Sequence, residues 1–471
     1  MHADTAALIT SRWDDDIVPV LHDYITIPNV SEAFDPDWRE HGHMHAAVEL
    51  IRSWCADRPI EGMTVDVIDP PDLSPLIVID IPAFGGGDPD DTVLLYGHLD
   101  KQPEMTGWRE GLGPWTPVIE GDKLYGRGGA DDGYSAFASL TAIEAVRAAG
   151  GSHTRCVVLI EASEESGSPD LPEHITRIAD RIGTPSLVVC LDSGCIDPDH
   201  MWITTSLRGG VVAELTVEIV TDGLHSGDVS GMVPSTFRIA RALLSRIEDE
   251  ATGRMLLPSC HVAVPAERLA QARAMADEVG PIADHYPFVP GAGATSDDPV
   301  EQLLSRTWGA ALSITGAEGL PPVARAGNVL RPSTTLLLSL RIPPTADADA
   351  VVADLRQALL TDPPYGSRVT LDVRAAMPGW HAPATAPWLA TAADEASTAA
   401  FGHPARHFGE GGSIPFMAML GERFPDAQFV ITGVLLPDSN AHGPNEYLHL
   451  PTARRLTHAV AHLVDAHARR G

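Results

Sequence analysis

Apolar positions in the first two hundred residues come as short unbroken runs. "TVLLYG" (92–97), "CVVLIE" (156–161) and "SLVVCL" (186–191) have no polar alternation and are rich in β-branched residues. Strands buried on both faces read this way. "YSAFASLTAIEAVRAAG" (134–150) is long, alanine-rich and closed by glycine, which predicts a C-capped helix. Such alternation predicts a mostly parallel sheet sandwiched by helices, an α/β fold.

Near residue 208 the pattern changes. "VAELTVEIV" (212–220) alternates apolar and polar, as a strand with one wet face does. "PSTFRIARALLSRI" places Phe237, Ala240, Leu244 and Ile247 at helical spacing. "TTLLLSLRI" (334–342), a helix through Val352, Leu355 and Leu359, and "RVTLDVRA" (368–375) follow. They predict a smaller α+β domain. Beyond residue 381 the first texture returns: a helix at 388–401, a strand "QFVITG" (428–433) and a closing helix from about 452. The predicted organisation is therefore one domain of residues 1–207 and 381–471, with an inserted domain of residues 208–380. The stretch 284–300 reads as an exposed loop.

Composition narrows the function classes. A chain of 471 residues exceeds one ordinary core. The net charge of −32 argues against nucleic acid and anionic membrane surfaces. No apolar run reaches membrane-spanning length, and the acidic start lacks the pattern of a signal peptide. The five cysteines are few, odd in number and free of CxxC spacing, so reduced cysteines in a cytoplasmic protein are expected. Only Lys101 and Lys123 represent lysine.

The candidate chemistry lies at the strand ends, where open parallel sheets bind ligands. The first run leads to His98 and Asp100, the second to Glu164 and Glu165, the third to Asp192, and "QFVITG" is followed after a loop by His442. Asp131 precedes the long helix. Imidazole and carboxylate together suit zinc, manganese or cobalt. The count fits two divalent ions: Asp131 shared, His98 and Asp192 on one, Glu165 and His442 on the other. Two ions about 3.5–4 Å apart polarise a carbonyl and sharpen a shared water. If the chain is extended at 164–165, neighbouring side chains face opposite ways, so Glu165 would bind metal while Glu164 acts as base. The Asp100 carboxylate would hold the other nitrogen of His98.

"YGHLDKQP", "LYGRGGADDG", "LIEASEESGS", "CLDSG", "HSGDVSG", "FGEGGSIPF" and "AHGPNEYL" occur in this order. The series resembles the dinuclear metallopeptidases and amidohydrolases related to carnosinase, glutamate carboxypeptidase, aminoacylase and succinyl-diaminopimelate desuccinylase. The resemblance implies a zinc-exopeptidase-like catalytic domain and an inserted lid that also dimerises. It implies the same roles for His98, Asp131, Glu165, Asp192 and His442 as ligands, Glu164 as base and Asp100 behind His98. It adds His225 as a histidine that reaches the partner subunit's site, and Asn328, Arg341, Gly412 and Ser413 as substrate contacts. It also implies a cis peptide after Asp131. One departure stands out: relatives follow the aspartate pair with Lys-Gly, where this chain has Gly133-Tyr134.

Plainer readings exist for single residues. The glutamate pair could start a solvated helix, Asp192 could be a turn residue, and His442 a surface histidine. His225 could cap a turn, Arg341 could make a strand-end ion pair, and Ser413 could be a helix N-cap. The convergence of strand ends outweighs these for the metal set. The expectation is a cytoplasmic, homodimeric dinuclear metallohydrolase, zinc first among its metals, that cleaves dipeptides or similar small amides with a free carboxylate. An N-acyl or N-carbamoyl amino acid amidohydrolase, and a catalytically silent metal-binding homologue, are the alternatives.

Overall fold

The computed structural model describes residues 3–470. The apolar runs at 92–97, 156–161 and 186–191 form the strands Thr92–His98, Arg155–Glu161 and Pro185–Cys190, buried almost throughout. With Gln428–Ile431 they make four adjacent parallel strands. The flanks are antiparallel: Thr64–Ile68 and Leu76–Ile81 on one side, Trp202–Leu207 on the other. The sheet is thus parallel where the site residues emerge and mixed at its margins.

The chain folds into two compact units, Met1–Thr204 with Ala382–His407 and Met419–Gly471, and Thr205–His381 with Phe408–Ala418. The sequence pattern places all of 381–471 in the first domain, whereas the fold assigns Phe408–Ala418 to the second unit.

In the first unit, helices cover the sheet. Ser135–Ala148 is buried on nearly every side, as its alanine-rich sequence requires. Pro387–Phe401 and Leu450–Ala468 pack against each other, and the latter also packs on Ser135–Ala148. One core joins Ile79, Val93, Leu95, Phe137, Val158, Val189 and Leu463. Gly97 is required where the first site strand meets the helix start. A Cβ there would stand 2.0 Å from Ser135 Oγ and 2.6 Å from Asp132 Oδ2.

The second unit has an antiparallel sheet ordered Ala311–Glu318, Ser333–Ile342, Gly209–Glu218, Arg368–Met377. Strand Ser333–Ile342 alternates strictly between buried and half-buried positions, the pattern of one packed face. Its core takes Leu338, Leu340, Val351, Leu355 and Leu359. Helix Thr236–Leu244 buries Ile239, Ala240 and Leu243, while Phe237 is 44% exposed. The stripe is therefore rotated from the one predicted through Phe237 and Leu244. All five cysteines are buried and none is in a disulfide. Among the described residues no helix is long and apolar enough to cross a membrane.

Candidate metal centre

Three neighbouring strand ends deliver the first donors. His98 is the last residue of its strand and pairs in register with Glu161. Its ring is fully buried. Nδ1 lies 3.1 Å from the Asp100 carbonyl, so that nitrogen carries the proton and donates. The Nε2 lone pair then faces Asp131 Oδ1 at 3.3 Å and Asp192 Oδ1 at 3.8 Å. A histidine with one nitrogen so held and the other aimed at carboxylates has the form of a ligand.

Asp131 presents its two oxygens to two histidines. Oδ1 faces His98, and Oδ2 lies 3.0 Å from His442 Nε2. Glu165 Oε2 lies 3.3 Å from the same His442 nitrogen and accepts from Gln102 Nε2 at 2.7 Å. The peptide between Asp131 and Asp132 is cis. Asp132 turns inward, where its Oδ2 accepts from the His98 backbone N–H at 3.2 Å. His98, Asp131 and Glu165 form one group whose donor atoms all lie within 4.8 Å of one another, and His98, Glu164 and Asp192 form a second.

Two expectations change in detail. Glu164–Ser166 is a turn of 3-10 helix, not extended chain. The two glutamates are therefore not on opposite faces, and Glu164 stands beside His98 and Asp192 within ligand reach. Asp100 faces His98 Nδ1 mainly through its carbonyl, its carboxylate being 3.4 Å away. That carboxylate instead accepts the backbone N–H groups of Glu164 at 3.1 Å and Glu165 at 3.0 Å. Asp100 thus fixes the histidine with its main chain and the glutamate turn with its side chain.

The electrostatics describe a rim short of positive charge. Burial, then repulsion from Asp192, pushes the Glu164 carboxyl well up; burial, then Asp131, does the same to Glu165. Asp192 is raised by burial despite His98. Burial opposes ionisation of Asp131 as well, but hydrogen bonds from His442 and His98 hold it well below the usual range. Buried carboxylates are tolerated when paired with cations or bound to metal. Four carboxylates and two imidazoles on one rim match the donor chemistry of two divalent ions, so these residues fit the group.

Supporting residues escaped the sequence reading. The buried Arg127–Glu446 pair ties two site segments together: Arg127 Nη2 donates to Gly443 O at 3.0 Å, and Gly128 N donates to Glu446 Oε1 at 2.8 Å. It thus anchors the loop of His442, itself in the left-handed region at φ 64°. Both residues lie inside the motifs "LYGRGGADDG" and "AHGPNEYL", which is the available signal. Lys101 is fully buried, with Nζ 2.8 Å from both Tyr24 O and Ile27 O and 3.9 Å from the centre of the Tyr24 ring.

The structure also explains Gly133-Tyr134. A Cβ at Gly133 would stand 2.2 Å from Tyr24 Cε1 and 2.6 Å from Gly128 O, so no lysine fits. Tyr134 is buried, and its hydroxyl donates to Leu191 O at 2.5 Å, beside Asp192.

The remaining candidates lie in the second unit, in two groups. Strand Leu224–His225 pairs with Val329–Leu330, and Ser226 N donates to Asn328 O at 2.9 Å. The His225 ring is exposed, with Nδ1 3.7 Å from Asp228. Arg341 Nη1 donates to Ser413 Oγ at 3.3 Å, and Gly412 adjoins it on the same loop.

The chain is similar to known dipeptidases. Over 364 residues the chain is 26% identical to a cysteinylglycine-S-conjugate dipeptidase of Corynebacterium striatum, covering 75% of this chain and 76% of the relative. It is 25% identical over 358 residues to the mouse (Mus musculus) β-Ala-His dipeptidase, covering 73% and 71%. The fold matches human carnosine dipeptidase 1 with a TM-score of 0.76 at 22% identity, over 99% of both chains. It matches the dipeptidase Dug1p of Saccharomyces cerevisiae with a TM-score of 0.78 at 21% identity, over 99% and 98%. The profile of peptidase family M20/M25/M40 spans residues 94–466, which takes in every strand end that feeds the rim. On that match the chain belongs to peptidase family M20/M25/M40 and is a metallopeptidase that works with divalent metal ions.

Proposed function

We propose that this enzyme hydrolyses the amide bond of dipeptides and similar small substrates that carry a free carboxylate. The observation that carries the reading is the Asp131 carboxylate, which offers one oxygen towards His98 and the other towards His442. His98 and Asp192 would hold one ion, Glu165 and His442 the other, and Asp131 both. Zinc is the first choice for such borderline nitrogen and oxygen donors, with manganese and cobalt as substitutes. Bound there, the ions would polarise the scissile carbonyl and make a water molecule more acidic.

Glu164 supplies the proton transfers. Its carboxylate takes a proton from the attacking water as the new C–O bond forms, then delivers it to the amine nitrogen as the C–N bond breaks. The upward push on its carboxyl from burial and its acidic neighbours suits a group that must hold that proton between the steps. Asp100 keeps the turn bearing Glu164 and Glu165 in register through two backbone N–H bonds.

The inserted segment 208–380 acts as a lid and dimerisation domain in this reading. His225 steadies the developing oxyanion in the partner subunit's site, and Asn328 contacts the substrate. Arg341, with Gly412 and Ser413, takes the substrate's carboxylate, as the Arg341–Ser413 contact supports. Buried cysteines in no disulfide are consistent with a cytoplasmic protein.

The test is a substrate panel after metal removal and replacement. Dipeptides should be cleaved once a divalent ion is restored, and faster than N-acetyl or N-carbamoyl amino acids. Preference for the acylated compounds would replace the dipeptidase reading with an amidohydrolase one. Metal uptake without any turnover would make the chain a silent homologue.

A further inference from the structure

The stretch 24–33 precedes the family profile, which begins at residue 94, yet it is bonded into the rim. Two of its side chains reach the strand end of His98. The Tyr24 hydroxyl donates to Leu99 O at 2.6 Å, and Asn29 Nδ2 donates to the same carbonyl at 2.5 Å. The backbone then pairs alongside Lys101: Lys101 N donates to Asn29 O at 3.1 Å, and Ser31 N donates to Lys101 O at 2.9 Å. Lys101 binds back, its Nζ donating at 2.8 Å to Tyr24 O and to Ile27 O, at the end of the helix Val18–Ile25. A cation on the last carbonyls of a helix is favourable.

The same stretch reaches the glutamate turn. Ser166 follows Glu165, and its Oγ lies 2.6 Å from Ser31 Oγ and accepts from Ala33 N at 2.9 Å. Ser31 is fully buried. Other groups hold other parts of the turn. The Asp100 carboxylate accepts the N–H groups of Glu164 and Glu165. The Glu161 carboxylate accepts from Ser163 Oγ at 3.4 Å and Ser168 Oγ at 2.9 Å, which flank the turn. On Ser166 the contacts from outside the turn come from Ser31 and Ala33.

The stretch 29–33 therefore grips the turn from two sides: at Lys101, next to Asp100, and at Ser166, next to Glu165. We propose that the Ser31–Ser166 hydroxyl pair is a clasp that positions the turn carrying Glu164 and Glu165 for the reaction. Ser31 is then a positioning residue supplied from outside the family profile. The physical reason is tilt. A short 3-10 turn has poor internal hydrogen-bond geometry, and one fixed at its base and at two amides can still rotate about them. A displacement of about 1 Å at a reacting group costs up to about a hundredfold in rate. The effect on rate rests on the reading of Glu164 as the base.

The test uses the full-length, metal-loaded protein and the fastest-cleaved substrate of the panel. Ser31→Ala and Ser166→Ala should each lower kcat by about tenfold, with KM and metal content near their wild-type values. Combined, they should cost no more than Ser166→Ala alone, because both remove the same contact. Hydrogen exchange read by mass spectrometry needs no turnover. The peptide covering 163–168 should exchange about tenfold faster in Ser31→Ala, with the strand Thr92–His98 unchanged. Full kcat in both variants overturns the proposal. So does a loss of kcat without faster exchange at 163–168, and so does a loss that excess divalent ion restores, since the clasp would then serve metal retention. If Glu164→Gln keeps wild-type kcat while Ser31→Ala lowers it and speeds exchange at 163–168, the base reading falls and the clasp stands.

Discussion

Single side chains on the rim carry separable duties, and two substitutions separate them. Glu164→Gln keeps the shape and most of the hydrogen-bonding capacity of the side chain but cannot take up a proton. It should lower kcat by roughly 10²–10⁴, the usual worth of a positioned general base, with KM little changed. Metal content, measured by inductively coupled plasma mass spectrometry, should stay at the wild-type value. A halved metal content would instead make Glu164 a ligand, the alternative its position beside His98 and Asp192 allows. Asp131→Ala removes the carboxylate that faces both histidines. It should reduce bound metal at both positions at once, whereas Asp192→Ala should spare the His442 side. Equal losses in the two variants would contradict a shared Asp131.

At the scale of elements, the glycine and turn positions decide where those side chains stand. Gly133 ends the buried turn Gly129–Gly133 just before the helix Ser135–Ala148, lies against Tyr24 and has no space for a Cβ. Gly133→Lys should therefore destabilise this chain by about 1–3 kcal/mol, the usual cost of overpacking. Urea titration measures this, and a Tyr24→Ala background should return part of the loss. A neutral Gly133→Lys would refute the steric account. The strands of the parallel sheet are legible in the sequence because each is an unbroken apolar run bounded by polar residues. The flanking strands Thr64–Ile68 and Trp202–Leu207 are not. The first is only half-buried, and the second, "WITTSL", buries three hydroxyl-bearing residues inside the sheet, so neither shows the apolar run. The 3-10 turn at Glu164 is likewise hidden. It is held by Asp100, 64 positions away in the chain, and no local spacing encodes that bond.

At the scale of the whole molecule, two conditions should change stability in calculable directions. Removing metal by chelation leaves carboxylates crowded on the rim and should lower Tm, and adding a divalent ion should restore it in proportion to ln[metal] above Kd. The second condition is pH, through His153. Its Nδ1 donates to Thr154 O at 2.7 Å, and its Nε2 accepts from Arg147 Nε at 2.9 Å. A second proton would break the Arg147 bond and set two cations together. Burial first, with Arg147 adding to it, pushes the His153 pKa down to about 4. Unfolded histidine titrates near 6.5, so below that pH the unfolded chain takes a proton that the folded one refuses. The contribution is complete above about pH 6.5 and is lost on acidification towards about 4, at no more than about 1.4 kcal/mol per pH unit. Urea unfolding of the metal-free protein at pH 5 and 7, against His153→Asn, checks this. The stability gap between the two should narrow at the lower pH, and a gap that widens would reverse the sign.

The sequence by itself determined the periodicities, and with them the α/β sheet, the alternating strands of the second unit and the strand ends on which the rim is built. It also determined which residue types reach that rim, since His98 ends a strand and Glu164, Glu165, Asp192 and His442 each follow one in the chain. Tertiary structure alone decided orientation: which nitrogen of His98 is free, that Asp131 faces two histidines, and that Glu164 turns to the same rim as Glu165. The physical reason is range. Burial patterning is a local property read over a few residues, whereas a side chain's direction and its electrostatic environment are fixed by partners brought close only when distant segments pack.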